Sequence, residues 1–89
     1  MIKQGRRLKM RKEEYSTKNL NIASYLYASG VQFAGSNNIN GEFFFKFTPK
    51  DKAEQLVQLY FSGAATVNPR ELFSRLHDLK DIIFSGSLT

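Results

Sequence analysis

The sequence has no cysteine and no tryptophan, and its single histidine is His77. Without cysteine, the chain can form no disulfide, no thiolate zinc site and no cysteine nucleophile. No apolar run approaches the roughly 18 residues that a membrane-spanning helix requires. The first residues also lack the apolar segment of a secretory signal. We therefore expect a cytoplasmic protein with no membrane segment and no bound metal.

Sequence signatures of catalysis are missing as well. There is no phosphate-binding loop, no dinucleotide fingerprint and no nucleophile elbow. His77 is followed by Asp78, but neighbouring residues of a helix do not face each other, so the pair is not part of a catalytic triad. Glu71 and Arg75 have the i, i+4 spacing of an ordinary helix ion pair. We expect no catalytic residue and no cofactor, and hence a protein that is not an enzyme.

Charge is unevenly distributed along the chain. Thirteen basic and eight acidic residues give a net charge of +5 over 89 residues. Six of the basic residues and none of the acidic ones lie in the first twelve positions: Lys3, Arg6, Arg7, Lys9, Arg11 and Lys12. The remaining 77 residues carry seven positive and eight negative charges, a net of −1. We predict a flexible basic arm over residues 1–14, one compact domain over 15–86 and a polar tail over 87–89.

Three segments have the apolar spacing of amphipathic helices. The first is predicted over residues 17–29, the second starts after Thr48 and the third starts after Asn68. Residues that cap helix starts, and prolines in the first helical position, predict these boundaries, while glycines predict the ends. The predicted caps are Ser16 or Thr17, Thr48 and Asn68, and the glycines that end or follow the helices are Gly30, Gly63 and Gly86.

Strand patterns lie before and between these helices. A short strand is predicted around Leu8–Tyr15, where apolar and basic residues alternate. Residues Val31–Phe47 predict an antiparallel hairpin whose turn contains "NING", residues 38–41. A further short strand is predicted over 64–67, "AATV".

The length of the hairpin turn decides which face each phenylalanine occupies. A two-residue Asn40-Gly41 turn puts Phe33 on the face opposite the buried phenylalanines of the second strand. A three-residue loop, closed by a left-handed Gly41, brings Phe33 opposite Phe47 and collects the apolar residues on one side. We therefore predict the three-residue loop. Its pairs are Asn38 with Glu42, Gly35 with Phe45 and Phe33 with Phe47, and its other face carries Gln32, Ala34, Ser36, Glu42, Phe44 and Lys46.

These elements predict an α+β fold in the order (β)αββαβα. The antiparallel hairpin is extended by one or two further short strands, and three helices pack on one face of the sheet. We expect phenylalanines of the hairpin and leucines of the helices to share one core. The predicted core residues are Phe33, Phe43, Phe45, Phe47, Leu20, Leu26, Leu56, Leu72, Leu76 and Leu79.

The stretch "NGEFFFKF", residues 40–47, raises the alternative of a base-stacking platform. It matches the octamer of the RNA recognition motif at the glycine and at two aromatic positions. It departs from that motif at Asn40, where the motif is basic, and at Glu42, where the motif has a stacking aromatic residue. The pattern favours a core strand with one solvent-facing aromatic residue, Phe44.

A second resemblance covers most of the chain. The segments "YSTKNLNIASYLYASG", "NGEFFFKF" and "ATVNPRELFSRLHDLKDIIFSG" resemble a family of small bacterial and phage-associated proteins known as domain of unknown function 5659. The resemblance spans about residues 15–84 and excludes the basic arm. It implies one compact unit. It implies no activity and no functional residue, because the family has none assigned.

The basic arm indicates that the ligand is a nucleic acid. Six cations on a flexible segment can neutralise phosphates and release counterions, which gives sequence-independent binding. Phe44 and Lys46, on the solvent-facing side of the hairpin, are a candidate secondary contact. The predicted nucleic-acid-binding residues are Lys3, Arg6, Arg7, Lys9, Arg11, Lys12, Phe44 and Lys46. The expected function is that of a small non-enzymatic accessory protein that binds DNA or RNA.

The last helix indicates a different class of function. Its apolar stripe is wider than one small core can cover. The residues of that stripe are Leu72, Phe73, Leu76, Leu79, Ile82, Ile83 and Phe84. The alternative is therefore a protein–protein interaction or oligomerisation module, with a further copy of the chain or another protein as its partner.

Overall fold

The computed structural model describes residues 13–88, so the six arm cations and most of the strand predicted around Leu8–Tyr15 lie outside the described residues. The elements follow the order βαββαα. They are β1 (Tyr15–Thr17), α1 (Leu20–Ala28), β2 (Gln32–Ile39), β3 (Glu42–Thr48), α2 (Lys50–Ser62) and α3 (Pro69–Leu88).

The strands form one antiparallel sheet in the order β1-β3-β2. Helices α1 and α2 pack against this sheet, and α3 packs mainly against α1. The predicted α+β class is confirmed. The strand predicted over 64–67 is wrong, because these residues form an irregular link between α2 and α3. Ala65 and Val67 are half-buried and their neighbours are exposed, which is the alternation typical of a strand. The link is nevertheless not paired with any strand of the described sheet.

Helix α1 begins at Leu20, three residues later than predicted. Its cap is Asn19, whose Oδ1 accepts hydrogen bonds from the backbone N–H groups of Asn21 (2.9 Å) and Ile22 (3.1 Å). The predicted caps Ser16 and Thr17 are wrong, because both residues belong to β1 and are held there by pairing with β3. Residues that pair in a sheet are not available to cap a helix, and here the pairing with β3 prevails over capping.

Helix α2 begins at Lys50, and the capping position is occupied by Pro49, with no side-chain hydrogen bond. The prediction of Thr48 as cap is wrong, because Thr48 is the last residue of β3 and pairs with Gln32. The end of α2 agrees with the sequence prediction. Gly63 adopts a left-handed conformation with φ 82°, and its N–H donates to a carbonyl of the last turn.

Helix α3 begins as predicted. The Oδ1 of Asn68 accepts hydrogen bonds from the N–H groups of Arg70 (2.9 Å) and Glu71 (3.2 Å). The predicted end before Gly86 is wrong, because the helix continues to Leu88. A glycine inside a helix costs about 1 kcal/mol relative to alanine, which is too little to stop a long helix by itself.

The hairpin turn has two residues, so the predicted three-residue loop is wrong. Asn40 (φ 53°) and Gly41 (φ 87°) are both left-handed, and Ile39 pairs directly with Glu42. Two left-handed residues define a type I′ turn, whose twist matches that of the flanking strands. The side chain of Asn38 supports the turn by accepting a hydrogen bond from the Gly41 N–H at 3.0 Å.

A β-bulge nevertheless brings Phe33 opposite Phe47, as predicted. The register shifts by one residue between Phe33 and Gly35, which leaves Ala34 as the extra residue of β2. The predicted pairing of Gly35 with Phe45 is wrong, since Gly35 pairs with Lys46. The turn is one residue shorter than predicted, and the bulge adds one residue to β2. The two differences cancel, so Phe33 still shares the face of the buried phenylalanines of β3.

The two-residue turn and the bulge also change which residues of β2 lie on the outer face of the hairpin. Ser36 pairs with Phe45 and therefore lies on the core side, whereas Gly35 takes a place on the outer side. The assignment of Ser36 to the outer face is wrong for that reason. Glu42, Phe44 and Lys46 alternate with the buried phenylalanines and lie on the outer face, as predicted.

The core lies between the sheet and the helices. Phe45 and Phe47 are fully buried there with Leu26 of α1 and Leu79 of α3. The other predicted core residues except Leu76 are partly buried against this cluster. The same core also buries Ile22, Ala23, Tyr25, Val31 and Ala53.

Candidate nucleic-acid and protein interfaces

The outer face of the sheet carries two of the predicted binding residues. Phe44 and Lys46 are two positions apart on β3, so their side chains point to the same side, away from Phe45 and Phe47. Phe44 is half-buried and lies across from Asn37 of β2. The structure therefore brings these two predicted contacts together on one surface.

Carboxylates accompany the cations of this face. The Nζ of Lys46 lies 4.0 Å from the Oε1 of Glu14, and the Nζ of Lys18 lies 3.2 Å from the Oε2 of Glu42. Such exposed pairs contribute only about 0–1 kcal/mol to stability, but they do offset the local positive charge. A phosphate approaching Lys46 has to displace Glu14. Phe44 and Lys46 alone consequently make a weak anion site.

A second surface is an apolar groove beside the helices. It has a volume of about 340 Å³ and lies between α1, α2, the link that joins α2 to α3, and the first turns of α3. None of the described residues that line it is charged. The lining residues are Asn21, Ser24, Tyr25, Tyr60, Ala65, Val67, Leu72, Phe73 and Leu76.

Three of the nine residues that line this groove are aromatic: Tyr25, Tyr60 and Phe73. The ring of Tyr60 lies 5.5 Å from that of Tyr25 and 5.3 Å from that of Phe61, measured between centroids. Phe61 is 71% exposed and Phe73, which lines the groove, is 64% exposed. Two large apolar side chains thus project into solvent at or next to an apolar concavity, an arrangement typical of interaction sites.

The sequence indicated only part of this surface. Phe73 belongs to the apolar stripe predicted to exceed the core, and Phe84 in the same stripe is 68% exposed. Phe61 was not singled out, because it lies to one side of the stripe that α2 buries. The groove forms where three helices meet, and the spacing of apolar residues along a single helix does not predict that arrangement.

Tyr25 is a buried ionisable residue in the wall of the groove. Burial raises the pKa of the Tyr25 hydroxyl above its ordinary value, because the phenolate would lose its hydration. The side chain is therefore neutral and acts in the groove as an aromatic wall.

The described residues do not assemble a metal site. Within residues 13–88, no cluster of three histidine, aspartate or glutamate side chains could hold a metal ion. His77 is exposed on α3, where its Nε2 lies 3.9 Å from the Oδ2 of Asp81, one helical turn away. None of the helices in this part of the chain combines the length and apolar character needed to cross a membrane.

Comparisons with protein-family models, with curated proteins and with solved structures found no match to this chain. The resemblance to domain of unknown function 5659 therefore stays a prediction. The features of this chain that bear on function are its charge distribution, the outer face of its sheet and the groove.

Proposed function

We propose that this chain is a small non-enzymatic accessory protein that binds nucleic acid through its basic arm. The observation that carries the proposal is the separation of charge. Residues 1–12 hold six cations and no carboxylate, whereas the remaining 77 residues are close to neutral. Among these six cations only Lys12 has a carboxylate, that of Glu13, as its immediate neighbour in sequence. The others are free of such a neighbour, and each phosphate contact they make releases condensed counterions.

Ion pairing within the folded part supports the same division of roles. Lys18, Lys46 and Arg75 each have a carboxylate within 4.0 Å. The charge of these three residues is already offset. Lys50, Lys52, Arg70 and Lys80 are outside these pairs, but the residues after position 12 have a net charge of −1 and so offer phosphate little net attraction. In this proposal the arm supplies the affinity. Phe44 and Lys46 supply a secondary contact, in which the half-exposed ring stacks on an unpaired base.

A charge-matched pair of variants tests the role of the arm. Arg6, Arg7 and Lys9 are changed to Gln in one variant, and the control changes Lys50, Lys52 and Lys80, three exposed lysines of the helices. Both variants lose three charges. At physiological salt, losing three phosphate contacts should weaken binding to a short DNA or RNA by roughly 100-fold. The control should bind within a few-fold of the parent, and equal losses in both variants would contradict the proposal.

A second candidate function is a protein-interaction module on the last helix. The observation that favours it is the exposure of Phe73 and Phe84, two large apolar side chains that the core leaves uncovered. The test compares the proteins that co-purify with the parent and with a Phe73→Ser, Phe84→Ser variant. Retention of the same proteins by both forms counts against this second function.

A further inference from the structure

We propose that the apolar groove binds a second copy of this chain, with Phe73 of each copy inserted into the groove of the other. The proposal rests on the second candidate function and names its partner. A two-fold symmetric interface requires one surface to carry both a projection and a complementary recess. This surface has both, because Phe73 lines the groove and is also largely exposed.

The size of the groove matches an aromatic ring. An apolar cavity of about 150 Å³ can hold a benzene molecule. The groove has a volume of about 340 Å³, so a phenylalanine ring fits with space for the adjoining helix surface. Tyr60 is only partly buried and its ring can contact an incoming ring, while the buried ring of Tyr25 supports it from behind with 5.5 Å between the two centroids.

Charge also favours a second copy over a charged ligand. Within residues 13–88, none of the side chains that line the groove is charged, so a phosphate or a basic peptide would lose hydration there without gaining an ion pair with them. The chain after residue 12 carries seven positive and eight negative charges. Two copies of this nearly neutral part can approach each other with little repulsion once salt screens the six arm cations.

The available area predicts a reversible dimer. An aromatic side chain has about 150–250 Å² to bury, so the exposed parts of Phe61 and Phe73 offer about 200–340 Å². A standard stable interface takes about 800 Å² from each partner, and the groove walls and a polar rim must supply the rest. We expect an interface at the small end of the range, which forms as concentration rises.

Sedimentation velocity of the full chain tests this proposal. Nuclease treatment and about 0.5 M salt remove bridging by nucleic acid through the arm, because salt screens phosphate contacts. We expect a shift from one to two chains over a hundredfold range of protein concentration. Phe73→Ser should raise the dimer dissociation constant about tenfold or more, since each dimer loses two identical contacts.

A matched control separates the groove from apolar exposure in general. Ile39, at the end of the hairpin, is 51% exposed and does not line the groove. Ile39→Thr should dimerise like the parent, and Phe61→Ser should weaken the dimer less than Phe73→Ser. Circular dichroism checks that all variants remain folded. A parent that stays monomeric overturns self-association, while co-purification that depends on Phe73 would still support an interaction with another protein. A dimer unaffected by Phe73→Ser overturns the role of the groove.

Discussion

Phe45 and Phe47 are the largest side chains that the packing of the sheet against the helices buries completely. Phe45 is 1% exposed and lies between neighbours on both adjoining strands, opposite Thr17 and Ser36. Phe45→Ala should therefore cost about 3–5 kcal/mol of unfolding free energy. Chemical denaturation measures the cost. Phe44→Ala, one position away on the outer face, is the matched control and should cost less. Equal costs would contradict the assignment of faces on β3.

Tyr25 gives stability a pH dependence whose sign follows from its burial. Its pKa is raised in the folded state, so the fold favours the neutral hydroxyl. This contribution is fully present below the unfolded pKa of about 10 and is lost as pH rises through the folded pKa. The parent should lose stability in that range faster than Tyr25→Phe. Parallel curves of unfolding free energy against pH for the two forms would show that Tyr25 is not buried as described.

The sequence predicted only one of the contacts that Arg75 makes. The i, i+4 spacing predicted its pair with Glu71, which is present at 3.9 Å. The guanidinium also lies 4.3 Å from the centre of the Tyr27 ring and 3.3 Å from the Oδ2 of Asp78. The contact with Tyr27 joins α3 to α1, and local spacing carries no information about such a contact between helices.

At the scale of elements, the hairpin shows why face and register are separate predictions. Parity required the phenylalanines to share a face, and they do. The prediction also assumed strands without a bulge. Under that assumption only a three-residue loop puts the phenylalanines on one face, and so the predicted turn was one residue too long. The bulge at Ala34 satisfies the same requirement with a tighter turn. The apolar face could be predicted, because burial enforces it, whereas the position of the irregularity could not.

The conformation of Asn40 distinguishes the two turns. In the two-residue turn Asn40 is left-handed, whereas in the three-residue loop only Gly41 is. A left-handed alanine costs roughly 1–2 kcal/mol, so Asn40→Ala should destabilise the chain by about 1 kcal/mol. Asn40→Gly should be within about 0.5 kcal/mol of the parent. Thermal or chemical unfolding compares them, and an alanine variant as stable as the glycine variant would favour the longer loop.

The helix starts could be predicted only where the capping residue is not part of a strand. Asn68 was predicted correctly because it follows an irregular link and is free to cap α3. Thr17 and Thr48 were not free, since each is the last residue of a strand that precedes a helix. Capping propensity predicts a boundary only where no sheet holds the same residue.

At the scale of the whole molecule, the two candidate interfaces differ in how much the sequence could reveal. The charge of the arm is a property of composition and was visible directly. The surplus of apolar side chains on α3 was visible too, and Phe73 and Phe84 are indeed exposed. The groove is formed by three helices and a link, so its existence and the part of Phe61 beside it required the tertiary structure.

The central claim is that the arm supplies the affinity for nucleic acid, and its most direct test is the salt dependence of binding. Fluorescence anisotropy measures the affinity of the full chain for a labelled oligonucleotide over a range of salt concentrations. If four to six arm cations engage phosphates, a log–log plot should have a slope of about −3 to −5. Changing all six arm cations to Gln should bring the slope near zero. An unchanged slope in that variant would contradict the account.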